Sequence, residues 1–363
     1  MEQPLQSSAG NGSSFTHTRY RIEDRSYLSL IKKEIAKEAE SLGFSAERIG
    51  RLDIIVAELA SNLLKFGQRK RELLWKPFYH NKEAGVEIIA LDGGGGITNM
   101  GLALQDGYST SGTAGEGLGA IKRLSDTFDI YSQPGVGTAV LSRLFTKELP
   151  LWFDKTPTIA AVSVPKPGEK LCGDGYYFEY EPTEQLLRIL VLDGLGHGPD
   201  AHLAAEAAIA AYLKVVQPDQ AQVLKLIHQE IKKTRGAVSM ALQFNLKEKL
   251  LRYCGVGNIS GKLLGPDGTA RALMSYNGIV GHTISSRIHD QELSWERGKL
   301  LVLHSDGITS RWDLSKYQQI QKHDLSLIAA CLYRDHSRGT DDVTVVVSKH
   351  PETDGGQGTK ANH

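Results

Sequence analysis

Four aspartate-bearing turns in the second half of the chain constrain its fold more than any other feature. They contain Asp174, Asp193, Asp306 and the pair Asp341-Asp342. Asp193 and Asp306 each follow an apolar run typical of a strand, and Asp341 precedes one. Carboxylates collected from the ends of separate strands make an oxygen-rich site, which suits Mg²⁺ or Mn²⁺ better than zinc. A single Asp-Gly is usually a hairpin turn, so this prediction depends on the presence of all four turns in one region.

Length, charge and cysteine content narrow the class of protein. A chain of 363 residues corresponds to two domains at about 150 residues each. Its 42 Lys and Arg balance 42 Asp and Glu, which argues against a broad nucleic-acid-binding surface. The 3 cysteines are too scattered for a disulfide framework or a zinc site. No apolar run reaches the ~18 residues of a membrane span and no signal peptide opens the chain. We therefore expect a cytoplasmic protein with no nucleic-acid or membrane partner.

The hydrophobic pattern changes along the chain and divides it into segments. Helical spacing at residues 26–42 and 46–66 precedes strand-like runs in the first half, whereas strand-like runs predominate after residue 158. The expected segments are a disordered tail (1–16), an N-terminal domain (17–146), a linker (147–157), a C-terminal domain (158–349) and a second disordered tail (350–363). Helices and strands in both domains predict an α+β fold class.

Three polar or glycine-rich motifs stand out in the N-terminal domain. Glu58 and Asn62 are four residues apart on a predicted helix and share one face, although such a pair is also common as a plain polar stripe. Asp92 and four glycines follow a strand, where glycine allows a close approach to a ligand or forms an ordinary hairpin turn. Residues 115–119, Gly-Glu-Gly-Leu-Gly, open a helix whose amides would bind an anion, or else form a flexible loop.

Taken together and in this order, these motifs resemble the GHKL (Bergerat) ATPases. Residues 105–112 and 117–130 are similar to one branch of that family, the RsbT-type switch kinases, which phosphorylate Ser or Thr on stressosome scaffold proteins. The resemblance covers residues 20–146 and implies an ATP-binding α/β sandwich. It implies that Glu58 orients or deprotonates the attacking hydroxyl and that Asn62 binds Mg²⁺. The implied ATP-binding residues are Asn62, Asp92 at the adenine, Gly94 and Gly96 shaping the pocket, Gly115, Gly117 and Gly119 at the phosphates, and Thr138 lining the base.

The aspartate turns resemble a second family. Asp193-Gly-Leu-Gly-His-Gly, Asp306-Gly-Ile-Thr and Asp341-Asp-Val-Thr are similar to the SpoIIE branch of the PPM Ser/Thr phosphatases, and residues 255–258 and 277–281 resemble RsbX-type stressosome phosphatases. This resemblance implies an α-β-β-α phosphatase sandwich over residues 158–349. The implied metal residues are Asp193 bridging two ions, the Gly194 carbonyl, Asp306 and Asp341 at the second ion, Asp174 acting through water, and Asp342 in a supporting place. Asp193, Asp306 and Asp341 are thus the expected catalytic set of this half.

The two resemblances predict one chain with opposed activities, a protein Ser/Thr kinase and a metal-dependent phosphatase. The expected cofactors are ATP, Mg²⁺ and Mn²⁺. The expected partners are STAS-domain scaffold or antagonist proteins as substrates, and downstream sigma-factor regulators. Two alternatives stay open: an N-terminal nucleotide-sensing module that sequesters a partner like an anti-sigma factor, and a metal-binding pseudophosphatase. The intact Asp193, Asp306 and Asp341 argue against the second.

Overall fold

The computed structural model describes residues 15–80, 83–104, 117–149, 158–181, 183–215 and 219–350. Most of the expected linker and both expected tails lie outside these residues. Phe15, which the sequence placed in the first tail, hydrogen-bonds through both backbone groups to the hydroxyl of Tyr176, at 3.1 and 2.6 Å. No helix in the described part of the chain is both long enough and apolar enough to cross a membrane.

The N-terminal half forms one antiparallel sheet with helices on one face. Its elements are β1 (Thr18–Arg21), α1 (Leu28–Ser41), α2 (Ala46–Phe66), β2 (Glu72–His80), β3 (Glu83–Asp92), α3 (Met100–Ala103), α4 (Gly117–Leu124), β4 (Thr127–Gln133) and β5 (Gly137–Phe145). The strand order is β1-β2-β3-β5-β4. The Ser45 hydroxyl caps α2 by accepting the Arg48 amide, and Leu52, Ile55 and Leu59 bury its apolar face against the sheet.

Strand β2 was not predicted from the sequence. Pro77 lies within it, and proline cannot donate to a neighbouring strand, so it is disfavoured in a central strand. The structure accommodates Pro77 because β1 pairs only with residues 72–75 of β2. Beyond Trp75, β2 is therefore an edge strand, where a missing amide leaves no ladder bond unmade.

The C-terminal half contains two packed sheets. Its elements are β6 (Ile159–Val164), β7 (Asp174–Glu181), β8 (Leu186–Gly194), α5 (Pro199–Leu213), α6 (Gln220–Glu230), β9 (Ala237–Asn245), β10 (Leu250–Val256), β11 (Ser260–Leu264), β12 (Ala270–Ala272), β13 (Gly278–Ile279), β14 (Thr283–Ile284), β15 (Gln291–Ser294), β16 (Leu300–His304), α7 (Leu325–His336) and β17 (Val343–Lys349). The two sheets have the orders β15-β10-β9-β8-β7 and β12-β11-β16-β17-β6. Tyr176, Phe244 and Trp295 fill the core between them. Helices α5 and α6 cover the first sheet and α7 covers the second, which confirms the predicted α-β-β-α sandwich.

Helix α7 is buried on two sides. Residues 325–334 are all buried, and the helix packs both on the second sheet of the C-terminal half and on the helix-free face of the N-terminal sheet. Leu74, Ile89 and Leu141 of the N-terminal sheet share one apolar cluster with Leu327 and Ile328 of α7. The two halves therefore stack through one shared helix.

Candidate functional site

The first candidate site lies where α2 meets the N-terminus of α4. A side-chain carbon added at Gly117 would lie 3.1 Å from Glu58 Oε2 and 3.3 Å from Asn62 Oδ1. Glycine thus lets the start of α4 approach both polar side chains. The Asn62 Nδ2 group is buried and has no hydrogen-bond partner among the described residues. A buried, unsatisfied amide is costly unless a ligand or water pairs with it, so this corner fits a polar ligand.

Asp92 ends β3 beside this corner. Its Oδ1 accepts the Gly94 amide at 2.8 Å, and Asp92 is paired with Thr138 across β3 and β5. Burial raises the pKa of the Asp92 carboxyl, against the opposing effect of its hydrogen bonds from Gly94 and Thr138. A carboxylate has about four acceptor positions, so Asp92 can also accept a hydrogen bond from a ligand amine.

Two of the glycines around Asp92 are required by close backbone contacts. Gly96 has φ +69°, and a side-chain carbon there would lie 2.3 Å from the Gln133 carbonyl oxygen. Gly137 has φ +138°, and a side-chain carbon there would lie 2.2 Å from the Asp92 carbonyl oxygen. Of the other predicted residues, Gly94 lies two residues after Asp92, Gly119 is buried in α4, and Gly115 lies outside the described residues.

The second candidate site begins with two aspartates on neighbouring strands. Asp174 of β7 and Asp193 of β8 stand directly opposite each other. Burial, together with the charges of Asp306, Asp341 and Asp342, raises the pKa of Asp193 to about 8. Burial and the charge of Asp193 likewise hold the pKa of Asp174 well above its ordinary value. Carboxylates that raise one another's pKa favour a bound cation, and an all-oxygen donor set fits a hard divalent ion.

Asp306 and Asp341 come from the other sheet. Together with Asp174 and Asp193 they form a group of carboxylates that we call the acidic edge. Asp306 follows β16 and accepts a hydrogen bond from Asn258 Nδ2 at 3.0 Å, whereas Asp341 precedes β17. In the described part of the chain, no three His, Cys, Asp or Glu side chains stand around one point as metal ligands. The structure thus brings the predicted aspartates into electrostatic range of one another without assembling a closed ligand set.

Asp342 differs from the other aspartates in what it contacts. Its two carboxylate oxygens accept the backbone amides of Lys166, at 2.8 Å, and Gly173, at 3.0 Å. Since Gly173 precedes Asp174, the Asp342 carboxylate ties the loop before β17 to the loop before β7. Gly194 is needed for a similarly close contact, because a side-chain carbon there would lie 2.3 Å from the Ala201 carbonyl oxygen.

Sequence reasoning missed the residues that hold Asp174. Ser305 Oγ donates to Asp174 Oδ2 at 2.6 Å and accepts the Thr344 amide at 3.0 Å. Both residues lie inside the motifs that carry Asp306 and Asp341, and that position was the available signal. Arg334, also missed, donates to the Asp92 carbonyl oxygen at 3.2 Å. It had no sequence signal, because α7 and β3 are far apart along the chain.

Comparisons with known proteins match each half of the chain to a family model. A family model described as a histidine kinase-like ATPase domain matches residues 23–143, and one described as stage II sporulation protein E (SpoIIE) matches residues 183–351. The serine/threonine-protein kinase RsbT of Bacillus subtilis (strain 168) is 35% identical over 110 residues, which are 30% of this chain and 80% of RsbT.

Two solved structures are each similar to about half of this chain. A chain from a study of the bacterial stressosome as a modular system adapted to control secondary messenger signalling is 29% identical, with a TM-score of 0.49, over 53% of this chain and 98% of its own. RsbX in complex with magnesium is 23% identical, with a TM-score of 0.47, over 52% of this chain and 92% of its own.

The fold and the two sites define a class: a histidine-kinase-like ATPase domain joined to a PP2C-type phosphatase domain. Within that class, the chain belongs to the RsbT kinase family through its N-terminal half and carries a SpoIIE-type phosphatase domain in its C-terminal half. The resemblance of the motifs to an RsbT-type kinase domain fused to a SpoIIE-type phosphatase domain is thereby confirmed.

Proposed function

We propose that this chain is a bifunctional regulator of a partner-switching or stressosome-type pathway. Its N-terminal half would phosphorylate Ser or Thr on a STAS-domain protein, and its C-terminal half would hydrolyse phosphoserine or phosphothreonine on such proteins. The observation that carries the kinase half is the meeting of Glu58, the unpartnered Asn62 amide and Gly117 at the start of α4. The similarity to RsbT, a serine/threonine-protein kinase, supports transfer to a hydroxyl group.

In the kinase half, the residues of the chain position the nucleotide and the hydroxyl. The Asp92 carboxylate accepts a hydrogen bond from the adenine amine, Thr138 lines the base, and Gly94 and Gly96 leave the pocket open. Asn62 holds Mg²⁺, and the glycine amides at 115, 117 and 119 hold the phosphates. Glu58 orients the attacking hydroxyl and accepts its proton. Phosphoryl transfer depends mainly on such in-line placement and on charge neutralisation.

In the phosphatase half, the acidic edge holds divalent ions, either Mg²⁺ or Mn²⁺. Bound ions would supply an activated water and neutralise the phosphoryl oxygens. Asp193 would be shared by the two ions beside the Gly194 carbonyl, Asp306 and Asp341 would hold the second ion, and Asp174 would act through water. We place Asp342 in a supporting role, because both of its oxygens already accept backbone amides.

The kinase half is tested by incubating labelled ATP and Mg²⁺ with the protein and a purified STAS-domain protein. The phosphatase-impaired Asp193→Ala chain should label the STAS protein on Ser or Thr, and Asp193→Ala combined with Asn62→Ala should not. The control combines Asp193→Ala with Lys65→Ala, a change at an exposed position on the same helix, and should still label the STAS protein. Binding of ATP without any transfer would contradict the kinase and favour the nucleotide-sensing module that acts like an anti-sigma factor.

The phosphatase half is tested separately with a phosphoserine peptide and Mn²⁺. Asp193→Ala should abolish hydrolysis, and Asp306→Asn should lose most of it, whereas Asp267→Ala, at an exposed turn of the same half, should not. Hydrolysis by Asp193→Ala at the rate of the unsubstituted protein would remove this assignment.

A further inference from the structure

A basic cleft lies at the junction of the two halves. None of the predicted site residues lines it, although Arg334 in its wall also contacts the Asp92 carbonyl oxygen. Its volume is ≈ 450 Å³, and its walls come from β1, from the segment between α2 and β2, and from the end of α7 with the loop after it. The lining includes six Arg and Lys side chains but only two Glu. In a chain of net charge zero, this is a strong local excess of positive charge.

Four of the six cations have no carboxylate partner among the described residues. Arg21 pairs with Glu72, and Arg334 pairs with Asp335. The remaining four are Arg19, Lys70, Arg71 and Arg338, none of which forms an ion pair in the described part of the chain. Unpaired cations gathered in a concave site concentrate positive potential, which attracts anions.

Several of the cations that line the cleft are fixed by hydrogen bonds or by packing. Arg19 donates to the Tyr333 hydroxyl at 3.3 Å, and Lys70 donates to the Arg334 carbonyl oxygen. Lys70 adopts a left-handed backbone conformation, with φ +49°, an uncommon state for a residue with a side chain. A side-chain carbon on Gly67 would lie 2.5 Å from the Leu63 carbonyl oxygen and 2.7 Å from Arg71 Cγ, so glycine is required there and the stem of Arg71 packs against it.

The carbonyl oxygens at the end of α7 would ordinarily repel an anion. Here they are already occupied. The Tyr333 carbonyl accepts the Ser337 amide, the Arg334 carbonyl accepts Lys70, and the His336 carbonyl accepts the Thr309 amide. The cleft therefore keeps its positive character although it adjoins the C-terminus of a helix.

From these observations we infer that the cleft binds a small ligand carrying two or more linked phosphoryl groups, with Arg71 and Arg338 as its principal contacts. The volume lies within the ~300–1,000 Å³ of small-molecule sites, and guanidinium groups bind phosphate oxygens in pairs. Four unpaired cations match the charge of a diphosphate better than that of a single phosphate. The site is independent of the proposed kinase and phosphatase chemistry.

The test uses isothermal titration calorimetry on the full chain with pyrophosphate, in EDTA and at constant ionic strength. We expect one site per chain, with inorganic phosphate and sulfate binding far more weakly. Arg71→Glu and Arg338→Glu should each weaken pyrophosphate binding by at least about tenfold, the loss expected for one charged hydrogen bond. Arg297→Glu, the same charge change at an exposed position elsewhere, should leave it unchanged.

Three further variants keep the result decisive. Arg71→Gln and Arg338→Gln remove the charge alone and serve if the glutamate variants do not fold. Asn62→Ala should bind pyrophosphate as the unsubstituted protein does, because the cleft is separate from the nucleotide corner. The proposal is overturned if pyrophosphate does not bind, if binding survives the Arg71 and Arg338 changes, or if Asn62→Ala or Arg297→Glu abolishes it. Binding of a phosphoserine peptide but not of pyrophosphate would also overturn it, in favour of protein docking.

Discussion

Arg334 of α7 donates from Nη1 to the carbonyl oxygen of Asp92, over 3.2 Å, and thereby joins the phosphatase half to the end of β3. The Arg334 side chain is only 1% exposed, and its Nε and Nη2 atoms pair with the Asp335 carboxylate. The same helix leads, through a short loop, to Asp341 and Asp342. One buried cation therefore lies between the candidate nucleotide corner and the loop that supplies two aspartates of the acidic edge.

The first prediction follows from this contact and from the proposed role of Asp92. Arg334→Met removes one hydrogen bond to the Asp92 carbonyl. The binding free energy of ATP should therefore become less favourable by about 0.5–1.5 kcal/mol, the net contribution of one hydrogen bond. Calorimetric titration with Mg-ATP measures it. Arg311→Met, at an exposed position of the same half, is the control. Equal affinity in Arg334→Met and in the unsubstituted protein would show that this contact does not support the pocket.

The second prediction concerns the buried ion network between the halves. Arg143 of β5 donates to Glu87 at 2.7 Å and to both oxygens of Asp324, at the start of α7. Arg143→Met leaves these carboxylates short of their cation, so the free energy of unfolding should fall by about 3–5 kcal/mol. Urea unfolding followed by circular dichroism measures the change. Arg252→Met, which breaks an exposed pair with Glu292, should cost no more than about 1 kcal/mol, and an equal cost for both would contradict the prediction.

The third prediction concerns His17, which is buried in the same network. Its Nδ1 accepts the Ser163 amide and its Nε2 lies 3.3 Å from Glu87 Oε1, which fits a neutral ring that donates from Nε2. Burial, assisted by the charge of Lys76, lowers the pKa of His17 to about 4. The unfolded chain therefore binds more protons than the folded chain between pH 6.5 and about 4, and stability falls as the pH falls through that window.

The His17 effect is measured by urea unfolding between pH 7 and pH 4 against His17→Gln, which can keep both hydrogen bonds but does not titrate. One pKa unit corresponds to ~1.4 kcal/mol. Between pH 7 and pH 4, the free energy of unfolding of the unsubstituted protein should therefore fall by about 3 kcal/mol more than that of the variant. Glu87 is present in both proteins, so its own titration cancels in the difference. Parallel pH profiles would mean that His17 does not lose its charge on folding.

The fourth prediction concerns metal affinity. Ser305 positions Asp174 and also accepts the Thr344 amide, so Ser305→Ala frees a carboxylate of the acidic edge. Residues that orient metal ligands typically contribute about 10–100-fold to affinity, and the apparent affinity for Mn²⁺ should fall by that factor. Hydrolysis measured against Mn²⁺ concentration reports it, with recovery expected at saturating metal. Ser310→Ala, at an exposed site nearby, should leave the curve unchanged, and an unshifted curve for Ser305→Ala would exclude the role.

Local patterns were enough to predict much of the fold and the composition of both sites. Helix α2 occupies residues 46–66 as predicted, because its cap and its apolar spacing are encoded within those residues. The strand ends that carry Asp92, Asp193 and Asp306 were likewise predicted, because each follows a continuous apolar run. The structure then places Glu58 and Asn62 on the face of α2 that meets Gly117.

What could not be predicted depends on contacts between distant residues. Helix α7 is buried on two sides, because the N-terminal sheet also needs a partner for its helix-free face, and no local pattern within the helix indicates that second contact. Arg143, Asp324 and Arg334 resemble ordinary surface charges in the sequence, since only docking of the halves brings their partners within reach. The same holds for the basic cleft, whose walls come from three separate segments.

The fifth prediction concerns why the two halves share one chain. If both act on one substrate, the fusion holds kinase and phosphatase at a high effective concentration around it. The unsubstituted protein should then turn over ATP and accumulate little phosphorylated STAS protein. Asp193→Ala should accumulate phosphorylated product, and Asn62→Ala should strip a STAS protein that was phosphorylated beforehand. Phosphopeptide mass spectrometry identifies the Ser or Thr in each case. If the residue phosphorylated by Asp193→Ala is one that Asn62→Ala leaves untouched, the halves serve different partners, and α7 joins them for co-localisation rather than for a shared cycle.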